Sequence, residues 1–169
     1  MANAMAMTTT ISDYIDVGRR VDDLGCREPE RMALLPINFE AAASVADLLQ
    51  ASEAATIKKL FVAEGLPVDD ITDKNQRPPC VKNKQFEWVP PILFVSASLY
   101  SQNPALVSLA LNVLANYATE FFKSMGGAHE VKLNIVVGNK NKVYKKIAYE
   151  GPVEGLRDLA KVVAEVSRK

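Results

Sequence analysis

Apolar residues stand at every second position from 131 to 137, alternating with Lys132, Asn134 and Val136, and Val143, Ile147 and Tyr149 continue the pattern after turn-forming residues at 138–141. A period of two is typical of β-strands that are buried on one face. Beyond the Gly-Pro pair at 151–152, apolar residues recur at helical spacing over residues 153–166, with charged residues on the other side. We therefore predict that the chain ends in a strand-strand-helix unit whose two strands form a β-hairpin.

A long apolar stretch precedes this unit, and no charged residue occurs between Glu87 and Glu120. Asn103 and Pro104 place a capping residue before a proline at the first helical position, and two glycines follow residue 125. We predict a long central helix over residues 104–125, buried on nearly all sides. Its asparagine, serine and threonine residues disfavour insertion into a bilayer, so we expect no membrane partner.

The rest of the chain predicts shorter elements. In chain order they are a disordered tail (residues 1–10), a helix from Thr10 or Ser12 to Gly25, a strand (32–35), two serine-capped helices (44–67), a long polar loop or linker (68–85) and a buried strand (92–95). Helices that lie before and after a hairpin indicate an α+β fold. We expect a single globular domain over residues 11–169 with a small, mostly antiparallel sheet.

The composition narrows the class of protein. The 169 residues are enough for one domain, and 49% hydrophobic with 24% charged residues excludes a disordered or polytopic membrane chain. Twenty basic and twenty acidic side chains give a net charge of zero. The chain as a whole therefore does not attract nucleic acid or anionic lipid.

The reactive residue types are few. Cys26 and Cys80 are far apart in sequence and outside any Cys-x-x-Cys motif, which argues against a zinc site or a disulfide framework and favours a reducing cytosol. The single histidine, His129, cannot form a multi-histidine metal site and is expected to be a loop residue before a strand. With no nucleophile motif either, we predict no catalytic residue, metal site or cofactor, and we regard an enzyme as the less favoured class.

Polar residues form a narrow stripe on the predicted central helix. Ser108, Asn112 and Asn116 recur at intervals of four, which suits either a solvated helix face or a ladder of polar side chains at a twofold interface. Trp88 and Tyr100 lie in the same uncharged stretch and add apolar surface. We predict these five residues as an interface with a second copy or another protein.

Lys140, Lys142, Lys145 and Lys146 fall within seven positions around the predicted hairpin turn. Such a lysine-rich hairpin (140–146) could bind anions or single-stranded nucleic acid. Lysines on an edge strand also prevent sheets from pairing with one another. We favour this protective role for the four lysines over the binding of anions or nucleic acid.

Residues 44–67 resemble a helix-turn-helix, with one capped helix pattern followed by a second. The resemblance lacks a turn glycine, since Gln50 stands there. The segment also lies within residues 1–70, which contain twelve acidic and six basic side chains. That setting argues against contact with phosphates, so nucleic acid is a disfavoured partner.

The sequence favours a non-catalytic cytosolic protein-interaction or oligomerisation module within a larger assembly. The alternative is a nucleic-acid-binding protein that uses residues 44–67 or the lysine-rich hairpin.

Overall fold

A computed structural model describes residues 7–81, 90–123 and 129–168. The strands are β1 (Thr8–Asp13), β2 (Met32–Leu35), β3 (Val68–Asp69), β4 (Ile92–Val95), β5 (Glu130–Gly138) and β6 (Tyr144–Pro152). The α-helices are α1 (Val17–Leu24), α2 (Ala54–Ala63), α3 (Ala97–Gln102), α4 (Ala105–Phe122) and α5 (Leu159–Ser167). Short 3-10 turns occur at Val45–Asp47, Lys74–Gln76 and Val153–Leu156.

The strands form one six-stranded sheet in the order β1-β6-β5-β4-β2-β3. The pairs β4–β5 and β2–β3 are parallel, and the other three pairs are antiparallel. The α+β class is confirmed, but the prediction of a small, mostly antiparallel sheet is wrong because the sheet is mixed. Helical connections explain the difference: α2 lies between β2 and β3, and α3 and α4 lie between β4 and β5, so each following strand runs in the same direction as its predecessor.

Helices α2, α4 and α5 cover one face of the sheet, here called the helical face. Their apolar residues pack on the inward side chains of the hairpin. Buried members of this core include Ile57, Phe61, Leu111, Leu114, Ile135, Ile147 and Val163. The predicted C-terminal strand-strand-helix unit is confirmed as β5, β6 and α5, and the register of Ile135 against Ile147 follows the predicted alternation.

The opposite face of the sheet is covered only in part. Helix α1 and residues 36–48 pack over β2, β4 and the end of the hairpin, where Phe94, Val136 and Tyr144 are buried. Across β1, β6 and β5 the same face is open, and Thr10 and Asn134 are exposed there. Within the described residues, the sheet is therefore covered on both faces in one half and on the helical face only in the other.

The N-terminal segment differs from its prediction. Residues Thr8–Asp13 form β1, where a tail and the start of a helix were expected, and α1 begins only at Val17. Asp16 caps this helix, since its side chain accepts a hydrogen bond from the Arg19 N–H at 3.1 Å. Consecutive threonines are stiff and branched at Cβ, which favours the strand. The predicted end at Gly25 is confirmed by its left-handed φ of +69°.

The two helices predicted over residues 44–67 are not both formed. The first is a single 3-10 turn at Val45–Asp47, and only α2 is an α-helix. Hydrogen bonds to residues that are distant in sequence hold the chain between the turn and α2 extended. The Leu49 N–H donates to the Asn38 side chain at 2.8 Å, and Gln50 forms an isolated β-bridge with Cys80. The helix-turn-helix interpretation is therefore wrong for this segment.

Helix α4 is central in the helical layer, between α2 and α5, but it is buried along one side only. Its exposed side carries the predicted polar stripe, so burial on nearly all sides is a further wrong prediction. Residues 124 and 125 of the predicted helix lie outside the described residues. Of the described helices, α4 alone is long and apolar enough to cross a bilayer, judged by length and composition. Its six buried residues pack within the fold.

Candidate functional site

Two parallel strands end side by side in the centre of the sheet, β4 at Val95 and β5 at Gly138. Crevices at the carboxyl ends of such strands are common ligand sites. Here the crevice is an open cleft of about 590 Å³ between α3, the loop before β2 and the hairpin turn, and we call it the strand-end cleft. Glu28, Ser98 and Lys142 are among the polar side chains that line it.

The wall formed by α3 is tied to the loop before β2. The Ser96 hydroxyl donates to the Glu30 carbonyl at 2.6 Å and accepts the Leu99 N–H at 3.1 Å as the cap of α3. The Ser98 hydroxyl also donates to the Glu30 carbonyl, at 3.2 Å. These bonds fix the acidic loop beside the end of β4.

Tyr144 and Gly138 form the base of the strand-end cleft. A Cβ on Gly138 would lie 3.1 Å from the Tyr144 ring, so this strand end accommodates only a glycine without movement of the ring. Burial, with the nearby charges of Glu28 and Asp16, raises the pKa of Tyr144 to about 12. The phenol is therefore protonated at neutral pH and acts as a hydrogen-bond donor to Glu28, 3.4 Å away, and not as a base.

The hairpin turn presents two lysines to this end of the molecule. The Asn139 side chain accepts the N–H groups of Asn141 and Val143 at 2.9 and 3.0 Å, which holds the turn in shape. Lys142 has a left-handed φ of +59°, a conformation uncommon for lysine. Lys140 and Lys142 are both exposed at the rim.

A second cavity, of about 610 Å³, adjoins the first and shares Ser101, Asn139 and Lys140 with it. It lies between α3, the hairpin turn and the end of α5, and we call it the α3–α5 cleft. Its charged side chains are Lys140 and Arg168, and no carboxylate is among the described residues that line it. The two clefts thus differ in charge, because Glu28 and Glu30 line only the first.

The four predicted anion-binding lysines do not form one surface. Lys140 and Lys142 line the clefts, whereas Lys145 forms an ion pair with Asp13 of β1. Lys146 pairs in register with Val136 and so lies on the opposite face of the sheet, on its open half. Strand alternation separates Lys145 from Lys146, and the bend of the turn separates both from Lys140.

The predicted interface residues also fall into separate places. Tyr100 is half-buried and lines the α3–α5 cleft, and Trp88 lies outside the described residues. Ser108, Asn112 and Asn116 are exposed along α4 as the predicted stripe. The Asn116 side chain accepts a hydrogen bond from Arg157 at 2.8 Å. Nothing in the fold covers the stripe within the described residues.

One surface that the sequence analysis missed is strand β1, at the edge of the sheet. All six residues of β1 are exposed, and the Ile11 side chain is 50% exposed. The signal was the run of three threonines followed by isoleucine, all branched at Cβ. Edge strands of this kind carry unpaired backbone groups that can bind another strand.

The remaining reactive residues are the single histidine and the two cysteines. The His129 ring stacks on Phe122 with 4.4 Å between ring centroids, so this residue has more packing than a loop position suggested. Cys26 and Cys80 are free thiols. In the described parts of the chain, no three potential metal-binding side chains cluster.

Comparison with protein-family models, with curated proteins and with solved structures finds no match to this chain. The functional argument therefore depends on the chain's own surfaces.

Proposed function

We propose that this chain is a non-catalytic protein-interaction module that self-associates through the free edge of strand β1, most simply in the cytosol as one component of a larger assembly. The observation that carries the proposal is an edge strand with six exposed residues, of which five, Thr8 to Ser12, are uncharged. It contains no proline and no lysine, the residues by which natural edge strands avoid pairing.

The hydrogen-bonding direction of β1 supports the proposal. The Tyr14 N–H, next to the strand, donates to the Tyr144 carbonyl at 3.0 Å, towards β6. Because successive residues of a strand direct their backbone groups to alternate sides, Thr9, Ile11 and Asp13 direct theirs away from β6. A second strand can therefore pair with these three residues without disturbing the β1–β6 ladder.

A second copy of this chain fits that edge. Around a twofold axis perpendicular to the sheet, β1 pairs antiparallel with itself, Ile11 stands opposite Ile11 of the second copy, and Thr9 stands opposite Asp13. The pairing forms about six backbone hydrogen bonds and brings no like charges directly opposite each other. We expect micromolar affinity, because such an edge contact buries less than about 1,000 Å².

The test is light scattering of the unmodified protein over a wide concentration range. We expect a dimer of twice the 18.5 kDa chain mass at high concentration. Ile11→Lys should weaken the dimer by about tenfold or more, because two ammonium groups would then face each other at the twofold axis. The circular dichroism spectrum should not change, since Ile11 is half exposed.

The matched control is Asn112→Lys, which places the same charge on the polar stripe of α4. It should leave the dimer unchanged. A protein that stays monomeric at every concentration overturns the proposal. A dimer that persists in Ile11→Lys but dissociates in Asn112→Lys moves the interface to the predicted α4 stripe.

A further inference from the structure

The α3–α5 cleft combines two positive charges with neutral hydrogen-bonding groups. Lys140 and Arg168 are exposed on its walls, and Tyr100 contributes a phenol. Elsewhere in the structure several basic side chains have acidic partners, including Arg31 with Asp69 and Lys58 with Asp70. Within the described residues, Lys140 and Arg168 form no ion pair, although they line one cavity.

Two cations that line one cavity with no carboxylate among its described residues favour a bound anion, because the anion offsets their mutual repulsion. Guanidinium and ammonium groups are the usual protein contacts for phosphate. The volume of about 610 Å³ lies within the range of small-molecule sites, roughly 300–1,000 Å³. The cleft therefore has both the charge and the size for a small phosphorylated molecule.

The adjoining strand-end cleft suggests what else that molecule carries. Glu28 and Glu30 line it and repel a second phosphate, but carboxylates accept hydrogen bonds from hydroxyl groups. Lys140 and Ser101 line both cavities, so a ligand with its phosphate at Lys140 can extend towards Glu28. This arrangement suits a phosphate attached to a hydroxyl-bearing body.

We propose that the α3–α5 cleft binds the phosphate of a small sugar phosphate through Lys140 and Arg168, with the sugar hydroxyls in the strand-end cleft near Glu28. This site is separate from the β1 edge, so it stands whether or not the chain dimerises.

The experiment is calorimetric titration of the protein with three probes: ribose-5-phosphate, inorganic phosphate and ribose. We expect saturable binding of ribose-5-phosphate, weaker binding of inorganic phosphate and none of ribose. Lys140→Glu and Arg168→Glu should each weaken the binding of ribose-5-phosphate by about tenfold or more, since each removes a cationic contact and places a negative charge near the phosphate. Glu28→Gln should reduce the ratio of the affinity for ribose-5-phosphate to the affinity for inorganic phosphate.

The control is Lys146→Glu, which changes the same charge on the same hairpin but at a residue that lines neither cleft. It should leave binding unchanged. Equal loss in Lys146→Glu shows a general charge effect and overturns the site. The absence of saturable binding by either phosphate probe also overturns it, and unchanged circular dichroism of each variant confirms that the fold is intact.

Discussion

The sheet ends in strand β1 on one side and in strand β3 on the other, and the two edges differ in length, charge and cover. β1 has six exposed residues, whereas β3 has only Val68 and Asp69, both half-buried. The Asp69 carboxylate accepts the N–H groups of Glu30 and Arg31 at 3.0 and 2.9 Å and also binds the Arg31 guanidinium. Short length and a charged side chain are ways in which natural sheets close an edge. The β3 edge is therefore closed from within the chain, whereas no strand of the described residues pairs with the outer side of β1.

This difference predicts that substitutions at the β3 edge lower stability, whereas substitutions on the free side of β1 lower association. Asp69→Ala has the largest expected effect, a loss of about 2–3 kcal/mol in the free energy of unfolding. It removes a charged acceptor from two backbone N–H groups and from Arg31, and the Asp69 side chain is only 18% exposed. Urea unfolding followed by circular dichroism measures the loss.

Asp70→Ala is the neighbouring control for that measurement. Within the described residues Asp70 pairs only with Lys58, at 2.6 Å, and the two side chains are 44% and 33% exposed. We expect less than about 1 kcal/mol from this variant. Equal losses for the two variants would mean that Asp69 does not close the β3 edge.

The second prediction compares the two sides of β1 itself. Thr10 directs its N–H towards β6, so Thr10→Pro removes a hydrogen bond of the ladder and should cost about 1–2 kcal/mol. Thr9 directs its N–H to the free edge, so Thr9→Pro should cost less stability but weaken the dimer. Thermal unfolding at low protein concentration and light scattering at high concentration separate the two effects.

Amide hydrogen exchange gives an independent measurement of the same difference. The Thr10 and Ser12 amides should be protected at every concentration, and the Thr9 and Ile11 amides only where the dimer forms. Protection of both sets in the monomer would show that the β1 edge is already covered within the chain.

Secondary-structure elements were predictable where the pattern of apolar and polar residues is local. Elements that depend on contacts between residues distant in sequence were missed. The hairpin was predictable because one of its faces is buried along most of its length, which gives a period of two over residues 131–135. In β1, Ser12 resembled a helix cap, and the absence of any buried face removed the alternation that identifies strands. Residues 44–52 resembled a helix, but the bonds from Leu49 to Asn38 and from Gln50 to the chain near Cys80 come from other segments.

The clefts show the same limit. Their lining residues come from four segments, within residues 28–30, 94–104, 138–144 and 167–168, which only the folded sheet brings together. Lys140 and Tyr100 were predicted as site residues for other reasons, one as part of a lysine cluster and the other as apolar surface. Arg168 had no local motif and could not be predicted. The separation of Lys145 from Lys146 depends on strand alternation, and the separation of both from Lys140 depends on the bend of the turn.

The smallest predicted effect concerns the ion pair between Asp13 and Lys145, which joins β1 to β6. The Asp13 side chain is 85% exposed, so Lys145→Ala should change the free energy of unfolding by less than about 0.5 kcal/mol. In the antiparallel dimer, however, Asp13 stands opposite Thr9 of the second copy, and loss of Lys145 leaves its charge unbalanced at the interface. We expect the dimer to weaken by roughly twofold, a difference that salt removes because the groups are exposed.

The matched variant is Lys132→Ala, whose partner Glu150 lies 3.8 Å away across β5 and β6. Light scattering at low and high salt compares the two. An equal effect of both variants on the dimer would show that charge near β1 does not act through the free edge.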